Sequence, residues 1–171
     1  ACGGTLRIHI KVDTGMSRLG FLVRGRHFAG GVTSIAKACA LPRLEPEGIF
    51  THFAAADEDG AEDEAYTREQ FRVFLLVLDA LADQGRTFAL RHCANSGALA
   101  RYPEMYLDMV RPGIALYGAG GDRERLGLEG PGAADVLNLK CGSLLLGSLL
   151  EEPGFLPAYH MSKTHWVSIL L

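Results

Sequence analysis

The sequence lacks the features that would assign it to a membrane, to a nucleic acid or to a disulfide framework. Its apolar runs, such as residues 73–78, are far too short to span a bilayer. The net charge of -3 provides no basic surface for nucleic acid or for an anionic membrane. Its four cysteines are scattered without the paired spacing of a metal site, so reduced thiols in a cytoplasmic protein are the simplest expectation.

What is present is an ordinary globular composition, with 48% hydrophobic and 22% charged residues in a chain of 171. This is enough for one sizeable core. The first four residues, Ala-Cys-Gly-Gly, include no methionine and no basic-then-apolar signal pattern. Since a strand pattern follows almost at once, we expect that the chain has been cut from a longer one.

Four short apolar segments predict strands that alternate with helices. In residues 6–12, apolar and polar side chains alternate with the period of two that is typical of a strand. Further strands are predicted at residues 48–53, 88–93 and 107–111. The alternation predicts an α/β fold with a parallel sheet and right-handed crossovers.

Three helices are predicted between these strands. The first covers residues 26–41, where apolar residues recur at spacings of three and four. The second follows an acidic loop at residues 57–64 and begins at a capping box formed by Thr67 and Gln70. The third is short and ends at Arg101.

Polar residues follow each predicted strand, at the point where the strand ends. Lysine, aspartate and arginine occur within residues 11–18, His52 lies at the end of the second strand, and Asn95 and Ser96 follow the third. Because the carboxyl ends of parallel strands meet at one edge of a sheet, these groups are expected to share one site. A single histidine at a strand end is more often structural, but polar groups at four consecutive strand ends favour a site.

The segment after the fourth predicted strand has the elements of an anion site. Arg111 provides a cation, Pro112 ends the strand because it has no N–H to donate, and Gly113 allows a close approach to the backbone. Taken alone, the segment is more simply a strand that ends at a turn with a surface arginine. Its place beside the other strand ends favours the anion site.

The character of the sequence changes after Tyr117. Residues 119–135 are rich in glycine and charge and are predicted to form a linker. Residues 136–171 are predicted to begin a second, β-rich domain, within which the apolar stretch 137–150 carries little helical cap signal. The predicted organisation is therefore one domain at residues 1–118, a linker, and the start of a β domain that is truncated or diverged.

Four segments of the chain resemble, in the same order, motifs of the bacterial alanine racemases. Residues 11–20 match K-x-D-T-G-M-x-R-x-G, and residues 51–58 match T-H-F-A-x-A-D-E. Residues 92–96 match H-x-A-N-S, and residues 109–118 match M-V-R-P-G-I-A-L-Y-G. Four motifs in the family's order form a far more specific signal than any one of them.

The resemblance implies an isomerase that interconverts L-alanine and D-alanine with pyridoxal 5'-phosphate (PLP) and supplies D-alanine for peptidoglycan. The implied fold is a (β/α)8 TIM-type barrel followed by a β domain, in a cytoplasmic homodimer whose subunits share the active site. On this alignment the chain begins near the fifth barrel strand. It would then lack the family's A-V-x-K-A-N-A-Y-G-x-G segment, whose lysine binds the cofactor covalently, and would be inactive alone.

The matched motifs imply roles for individual residues. Arg111 resembles the arginine that donates to the pyridine nitrogen of PLP, and His52 the histidine that orients that arginine. Because a guanidinium cannot give up its proton, the ring nitrogen would stay largely unprotonated. Arg18 resembles the arginine near the phenolic oxygen of the cofactor and the substrate carboxylate. Lys11 matches a lysine that many members carbamylate, and an unmodified, neutral or charged Lys11 is the alternative.

The same resemblance implies a phosphate site and a second base. Ser96, with the N–H groups of Gly113 and Ile114 and beside Asn95, matches the phosphate site, and a plain helix cap is the alternative for Ser96. Racemisation needs two bases on opposite faces of the substrate. Tyr159 follows an E-P-G segment with the family's spacing and is the candidate for the base that the partner subunit supplies. An unrelated tyrosine in a diverged tail is the alternative.

Other functions remain open at this point. A racemase for serine or another small amino acid would use the same scaffold. A non-catalytic PLP-binding protein on a similar barrel is a further alternative, although such proteins usually lack the M-V-R-P-G-I-A-L-Y-G string. A degenerate, inactive fragment is the last. In each active case the partner is a small amino acid, with no metal, nucleic acid or membrane.

Overall fold

The computed structural model describes residues 3–117, 136–140, 143–153, 155–157 and 166–170. The chain divides into two units, Ala1–Glu129 and Gly130–Leu171. The first contains a parallel sheet with helices, and the second contains a small antiparallel sheet with one helix.

A parallel four-stranded sheet forms the centre of the first unit. Its strands are β1 (Leu6–Asp13), β2 (Phe21–Leu22), β3 (Leu44–Phe50) and β4 (Leu90–His92). Their order in the sheet is β2-β1-β3-β4, and every neighbouring pair is parallel. The prediction of an α/β fold with a parallel sheet is confirmed. Strand β2 was not predicted, because two residues are too few to show a period of two.

Helices connect the strands in the predicted order. They are α1 (Phe28–Cys39), α2 (Ala61–Ala82) and α3 (Ser96–Arg101). Short 3-10 turns occur at Gly25–His27, Pro103–Met105 and Ile114–Tyr117. Each long crossover between parallel strands therefore contains a helix, as the βαβ arrangement requires.

The core lies between the sheet and the two long helices. Ile49 of β3, Ile35 of α1 and Phe74 of α2 are completely buried in one hydrophobic cluster. Burial increases along β1, from Leu6, which is 63% exposed, to Val12, which is fully buried. Because a buried aliphatic side chain contributes about 1.5–3 kcal/mol, the carboxyl end of β1 is its better anchored end.

Helix α2 begins at Ala61 and not at Thr67, so the predicted capping box was wrong. The acidic residues 62–64, predicted as a loop, occupy its first turn, where carboxylates favour the positive end of the helix dipole. Thr67 and Gln70 lie in the helix interior and are at most 1% exposed. Thr67 and Gln70 thus match the capping-box pattern in sequence, but they are two buried polar side chains in the structure.

The segment predicted as the fourth strand is not a strand in the structure. Leu107 has a φ of 54°, which breaks an extended backbone. The segment instead makes two separated hydrogen bonds beside β4. Asp108 N–H donates to the Arg91 carbonyl at 3.1 Å, and Arg111 N–H donates to the Ala94 carbonyl at 2.9 Å. Arg111 is therefore held against the end of β4 without belonging to the sheet.

Among its described residues, the second unit contains three antiparallel strands and a helix. These are β5 (Val136–Lys140), α4 (Ser143–Leu150), β6 (Phe155–Pro157) and β7 (Trp166–Leu170), with the strand order β5-β7-β6. A helix thus occupies much of the apolar stretch that carried little helical signal. The predicted linker lies outside the described residues, and the domain boundaries stay a prediction. No helix in the described ranges is long and apolar enough to cross a membrane.

Candidate functional site

Arg111 lies at the centre of a cluster of polar groups at the carboxyl ends of β3 and β4. Its Nη1 donates to His92 Nδ1 at 2.6 Å. Its Nη2 donates to the backbone carbonyls of Thr51 at 3.0 Å and Cys93 at 3.2 Å, and lies 3.3 Å from His52 Nδ1. All of these partners are neutral acceptors, so they hold the guanidinium in place without cancelling its charge.

His92 holds one side of that guanidinium. It is 3% exposed, and its ring stacks on Phe50 with the ring centres 4.8 Å apart. A guanidinium only donates hydrogen bonds, so His92 Nδ1 is the acceptor and the proton of the imidazole is on Nε2. That Nε2 lies 2.8 Å from His9 Nδ1. The sequence interpretation assigned His92 no role, although His92 begins the matched H-x-A-N-S motif.

Within the described part of the chain, no carboxylate pairs with Arg111. Burial lowers the pKa of Arg111, the direction expected for a cation that is removed from water. A buried charge without an opposite charge is costly unless a ligand or several hydrogen bonds compensate it. The charge of Arg111 is therefore available to a ligand with an acceptor atom.

Lys11 and His52 lie within electrostatic range of Arg111, and Arg18 lies within range of both Lys11 and His52. Burial and then the charge of Arg18 lower the pKa of Lys11, whose Nζ donates to the Leu19 carbonyl at 3.0 Å. Burial and then the charges of Arg111, Arg18 and Lys11 lower the pKa of His52 to about 4. The strand ends thus form a positively charged mouth that suits an anionic ligand.

The loop that carries Arg18 is held by an aspartate at the end of β1. Asp13 is 7% exposed, and its Oδ1 accepts from the N–H groups of Gly15 at 2.9 Å and Ser17 at 3.0 Å. Tyr66 of α2 donates its hydroxyl to the Gly15 carbonyl at 2.8 Å. A Cβ at Gly15, where φ is 149°, would lie 2.6 Å from that hydroxyl. The glycine is therefore required by both space and conformation.

A buried polar brace, formed by Thr14, Thr51 and Gln70, ties the loops after β1 and β3 to α2. The hydroxyls of Thr14 and Thr51 are 2.7 Å apart. Gln70 Nε2 donates to Thr14 Oγ1 at 3.3 Å and to the His52 carbonyl at 3.4 Å, and its Oε1 accepts from Ala54 N–H at 2.9 Å. Sequence reasoning missed the brace, although a glutamine on the apolar face of a helix is a signal for one.

Ser96 lies at the start of α3 and faces Gly113. Its Oγ accepts from the N–H groups of Gly113 at 2.9 Å and Ala115 at 3.2 Å. Because the oxygen accepts twice, the hydroxyl hydrogen is free to be donated elsewhere. The N–H of Gly113, predicted to bind a ligand directly, donates to Ser96 here. Asn95, and not Ser96, caps the helix by accepting from Ala98 N–H at 3.0 Å.

The structure brings four of the predicted residues of the first unit into electrostatic range of one another in a connected group. Lys11, Arg18, His52 and Arg111 interact electrostatically at the ends of the strands. Ile114 follows Gly113 as the first residue of a 3-10 turn and is 38% exposed. Tyr159, the predicted second base, lies outside the described residues.

The lowered pKa of His92 predicts a pH-dependent stability. Burial and then Arg111 lower this pKa to about 4, so between about pH 6.5 and 4 the unfolded chain binds a proton that the folded chain does not. The free energy of unfolding should therefore decrease as the pH falls through this window, by about 3 kcal/mol from His92 at most. In urea unfolding at pH 7 and pH 4.5, the free energy of unfolding of His92→Asn should decrease less between the two pH values than that of the unmodified protein. The same substitution at the exposed His27 should leave the decrease unchanged, and an equal decrease in both variants would contradict the assignment.

Together, the fold and the cluster define an α/β domain whose cations meet at the carboxyl ends of parallel strands, where such domains bind their ligands. The sequence model described as "Alanine racemase, N-terminal domain" matches residues 1–120. The chain therefore belongs to the alanine racemase family, and its fold is of the TIM-barrel type found in that domain. The family resemblance of the four motifs is confirmed.

Curated relatives are similar to about two thirds to three quarters of the chain. The alanine racemase of Desulforamulus reducens is 54% identical over 116 residues, which are 68% of this chain and 30% of that protein. The alanine racemase of Desulfosudis oleivorans is 45% identical over 138 residues, which are 75% of this chain and 34% of that protein. The chain thus spans about a third of the length of these relatives.

Solved structures show the same likeness. The alanine racemase of Clostridium difficile 630 in complex with cycloserine is similar with a TM-score of 0.67 and 27% identity, covering 99% of this chain and 50% of that one. The alanine racemase of Streptomyces lavendulae, a producer of D-cycloserine, has a TM-score of 0.62 and 33% identity, covering 82% of this chain and 38% of that one.

Proposed function

We propose that residues 1–118 form about strands five to eight of the barrel of a PLP-dependent alanine racemase, followed by the start of its C-terminal β domain. The whole enzyme would interconvert L-alanine and D-alanine and so supply D-alanine for peptidoglycan. The observation that carries this proposal is Arg111, which is held by neutral acceptors and has no carboxylate partner in the described ranges. Such a cation suits an acceptor atom that receives a hydrogen bond but no proton, as a pyridine nitrogen does.

The described residues fit PLP. Arg111 would face the pyridine nitrogen, and Arg18 the phenolic oxygen and the substrate carboxylate, for which a planar guanidinium is suited. The Ser96 hydroxyl, whose hydrogen is free to be donated, would bind the phosphate beside Asn95 and the turn at residues 113–114. When bound, PLP withdraws electrons from the amino acid and makes its α-hydrogen acidic.

Arg111 would determine how strongly the cofactor withdraws electrons. Since a guanidinium keeps its proton, Arg111 would leave the ring nitrogen largely unprotonated, and the ring would be a weaker electron sink. This favours return of the proton to the α-carbon over its return to another carbon. His52 supports Arg111 from 3.3 Å, and its pKa of about 4 keeps it neutral, so it adds no charge beside the guanidinium.

Lys11 would be carbamylated. A carbamate forms when a neutral amine adds carbon dioxide and releases a proton, and both burial and Arg18 shift Lys11 toward the neutral form by lowering its pKa. The resulting anion would pair with Arg18, which is exposed and makes no other side-chain hydrogen bond or ion pair among the described residues. The positive charge of the mouth would decrease, and Arg18 would be held in one orientation.

Two bases would act on opposite faces of the substrate. One would be Tyr159, supplied across the interface of a cytoplasmic homodimer. The other would be the lysine of the family's A-V-x-K-A-N-A-Y-G-x-G segment, which this sequence does not contain. We therefore expect that the 171-residue chain alone does not racemise alanine.

A hybrid enzyme tests the proposal. Residues 1–117 would replace the matching segment of the Desulforamulus reducens racemase, to which this chain is 54% identical over 116 residues. The hybrid should bind PLP and racemise L-alanine, because it combines the relative's lysine with the cationic mouth of this chain. Circular dichroism of released alanine measures the reaction, and the parent racemase is the control.

The outcomes separate the alternatives. A hybrid that folds and binds PLP but racemises no amino acid would contradict the proposed activity. Racemisation of L-serine at a higher kcat/KM than L-alanine would replace alanine by serine as the substrate.

A further inference from the structure

Behind Arg111, a series of four side chains leads away from the site to the protein surface. We call this series, formed by Arg111, His92, His9 and Glu47, the histidine relay. Arg111 Nη1 lies 2.6 Å from His92 Nδ1, and His92 Nε2 lies 2.8 Å from His9 Nδ1. His9 Nε2 lies 3.8 Å from Glu47 Oε2. None of the roles described above uses His9 or Glu47.

The protons of the relay can point in only one direction. Arg111 donates to His92, so His92 carries its proton on Nε2 and donates to His9 Nδ1. The proton of His9 is then on its Nε2, which faces the Glu47 carboxylate. A second proton on His92 would place an N–H against the N–H of Arg111, and the pKa of His92, lowered to about 4, agrees with a neutral ring.

The backbone around the relay is shaped for it. The pairing of β1 with β3 shifts between Ile8 and His9, so that Glu47 is the extra residue of a β-bulge. Bulges aim side chains in directions that a regular strand does not allow. A Cβ on Gly48, the residue paired with His9, would lie 2.5 Å from His9 Nδ1. The glycine therefore leaves the space that the imidazole occupies.

The outer end of the relay is fixed as well. Arg7 Nη1 donates to Glu47 Oε1 at 2.9 Å, which leaves Oε2 toward His9. The side chains of His9 and Glu47 are 29% and 31% exposed, whereas His92 is almost completely buried. A carboxylate at the surface thus lies 3.8 Å from the outer end of a series of hydrogen bonds that begins at a buried cation.

We propose that His9 and Glu47 are positioning residues that hold His92 as the neutral Nε2–H tautomer, whose Nδ1 then fixes the guanidinium of Arg111. Bonds in such a series polarise one another, so each strengthens the next. The inference rests on the proposed function only in giving a reason why Arg111 must be held in place. The tautomer itself can be measured without cofactor or activity.

Solid-state 15N NMR of the 171-residue protein labelled with 15N-histidine and 15N-arginine tests the proposal, because it does not depend on particle size. At pH 7 both His9 and His92 should carry one proton, on Nε2, and a coupling should join His92 Nε2 to His9 Nδ1. A proton on Nδ1 of His92, or a doubly protonated His92, would overturn the inference in the unmodified protein alone.

Variants separate positioning from packing. His9→Phe keeps an aromatic ring but removes the acceptor, so exchange of the Arg111 Nη protons should become about fivefold faster, the effect of one lost hydrogen bond. His9→Asn, whose Oδ1 can replace Nδ1, should restore most of the protection. His27→Phe, the same change at an exposed histidine outside the relay, should have no effect. Equal exchange in His9→Phe and His9→Asn would overturn the proposal.

The hybrid enzyme distinguishes this inference from the proposed function. There, His9→Phe should lower kcat about fivefold while the KM for alanine changes little, because Arg111 faces the cofactor and not the substrate carboxylate. If the NMR tautomers are as expected and the unmodified hybrid is inactive, the proposed function fails and the relay stands. If the hybrid is active and His92 carries its proton on Nδ1, the relay fails and the function stands.

Discussion

Replacing Arg111 with glutamine in the hybrid enzyme is expected to reduce kcat by about 10²–10³-fold, the usual cost of removing one preorganised donor from an active site. Glutamine can donate to an acceptor but brings no charge and reaches fewer of the carbonyls that now hold Arg111. Steady-state kinetics with L-alanine measure the effect. Arg111→Glu should in addition produce a new absorption band at longer wavelength, because a carboxylic acid can give its proton to the ring nitrogen.

The matched control for Arg111 is Arg72→Gln. Arg72 is exposed on α2 and pairs with Glu69 at 2.7 Å, so its loss should change kcat by less than about twofold. Arg111→Gln with kcat close to that of the unmodified hybrid would contradict the role of Arg111. The absence of a new band in Arg111→Glu with bound PLP would contradict the position of Arg111 at the pyridine nitrogen.

Replacing Gln70 with leucine is expected to lower the free energy of unfolding by about 2–4 kcal/mol, because buried polar groups lose their partners. The Ala54 N–H loses its acceptor, and the His52 carbonyl and Thr14 lose a donor. Leucine is close in size and keeps the helix, so the loss reports hydrogen bonds more than packing. Urea unfolding of the 171-residue protein, followed by circular dichroism, measures it.

Gln84→Leu is the matched control for Gln70. Gln84 follows α2 and donates to the Ala80 carbonyl at 3.0 Å in an exposed position, so its replacement should change stability by less than about 0.5 kcal/mol. In the hybrid enzyme, Gln70→Leu should also reduce kcat/KM, since the brace holds the loops of Arg18 and His52. Similar stabilities for Gln70→Leu and Gln84→Leu would show that the brace contributes nothing.

The sequence could predict which groups would meet but not how they are held. Parallel strands place their carboxyl ends together, and this rule placed Lys11 and His52 at one edge, whereas Arg111 was placed there through a predicted strand that the structure replaces by an irregular segment. The contacts of Arg111 could not be predicted, because they depend on Leu107, whose positive φ ends any strand there. That conformation is stabilised by the pairing of Asp108 with Arg91, which no local pattern reveals.

Buried polar residues were the other source of error. Thr67 and Gln70 have the spacing of a capping box, and local propensity favours that interpretation. Packing against the loops after β1 and β3 instead places both inside the helix, which begins at Ala61. Likewise, the sequence shows His9 only as a polar residue in an alternating strand. Its contact with His92, 83 residues away, becomes visible only in the structure.

The strand order of the sheet also affects how quickly the positively charged mouth at the strand ends can form during folding. Partners in β1 and β3, and again in β3 and β4, are separated by about 40 residues, so each pairing closes a long loop before it is stabilised. Parallel sheets with such distant contacts fold slowly compared with helical bundles of similar size. During synthesis, Arg111 can acquire its full set of four carbonyl and imidazole acceptors only after β4 has docked, because His92 and Cys93 supply two of them. A nascent chain that ends before Leu90 therefore contains only two of the four acceptors, Thr51 and His52, and the site forms only when the residues from β4 to Arg111 have been made.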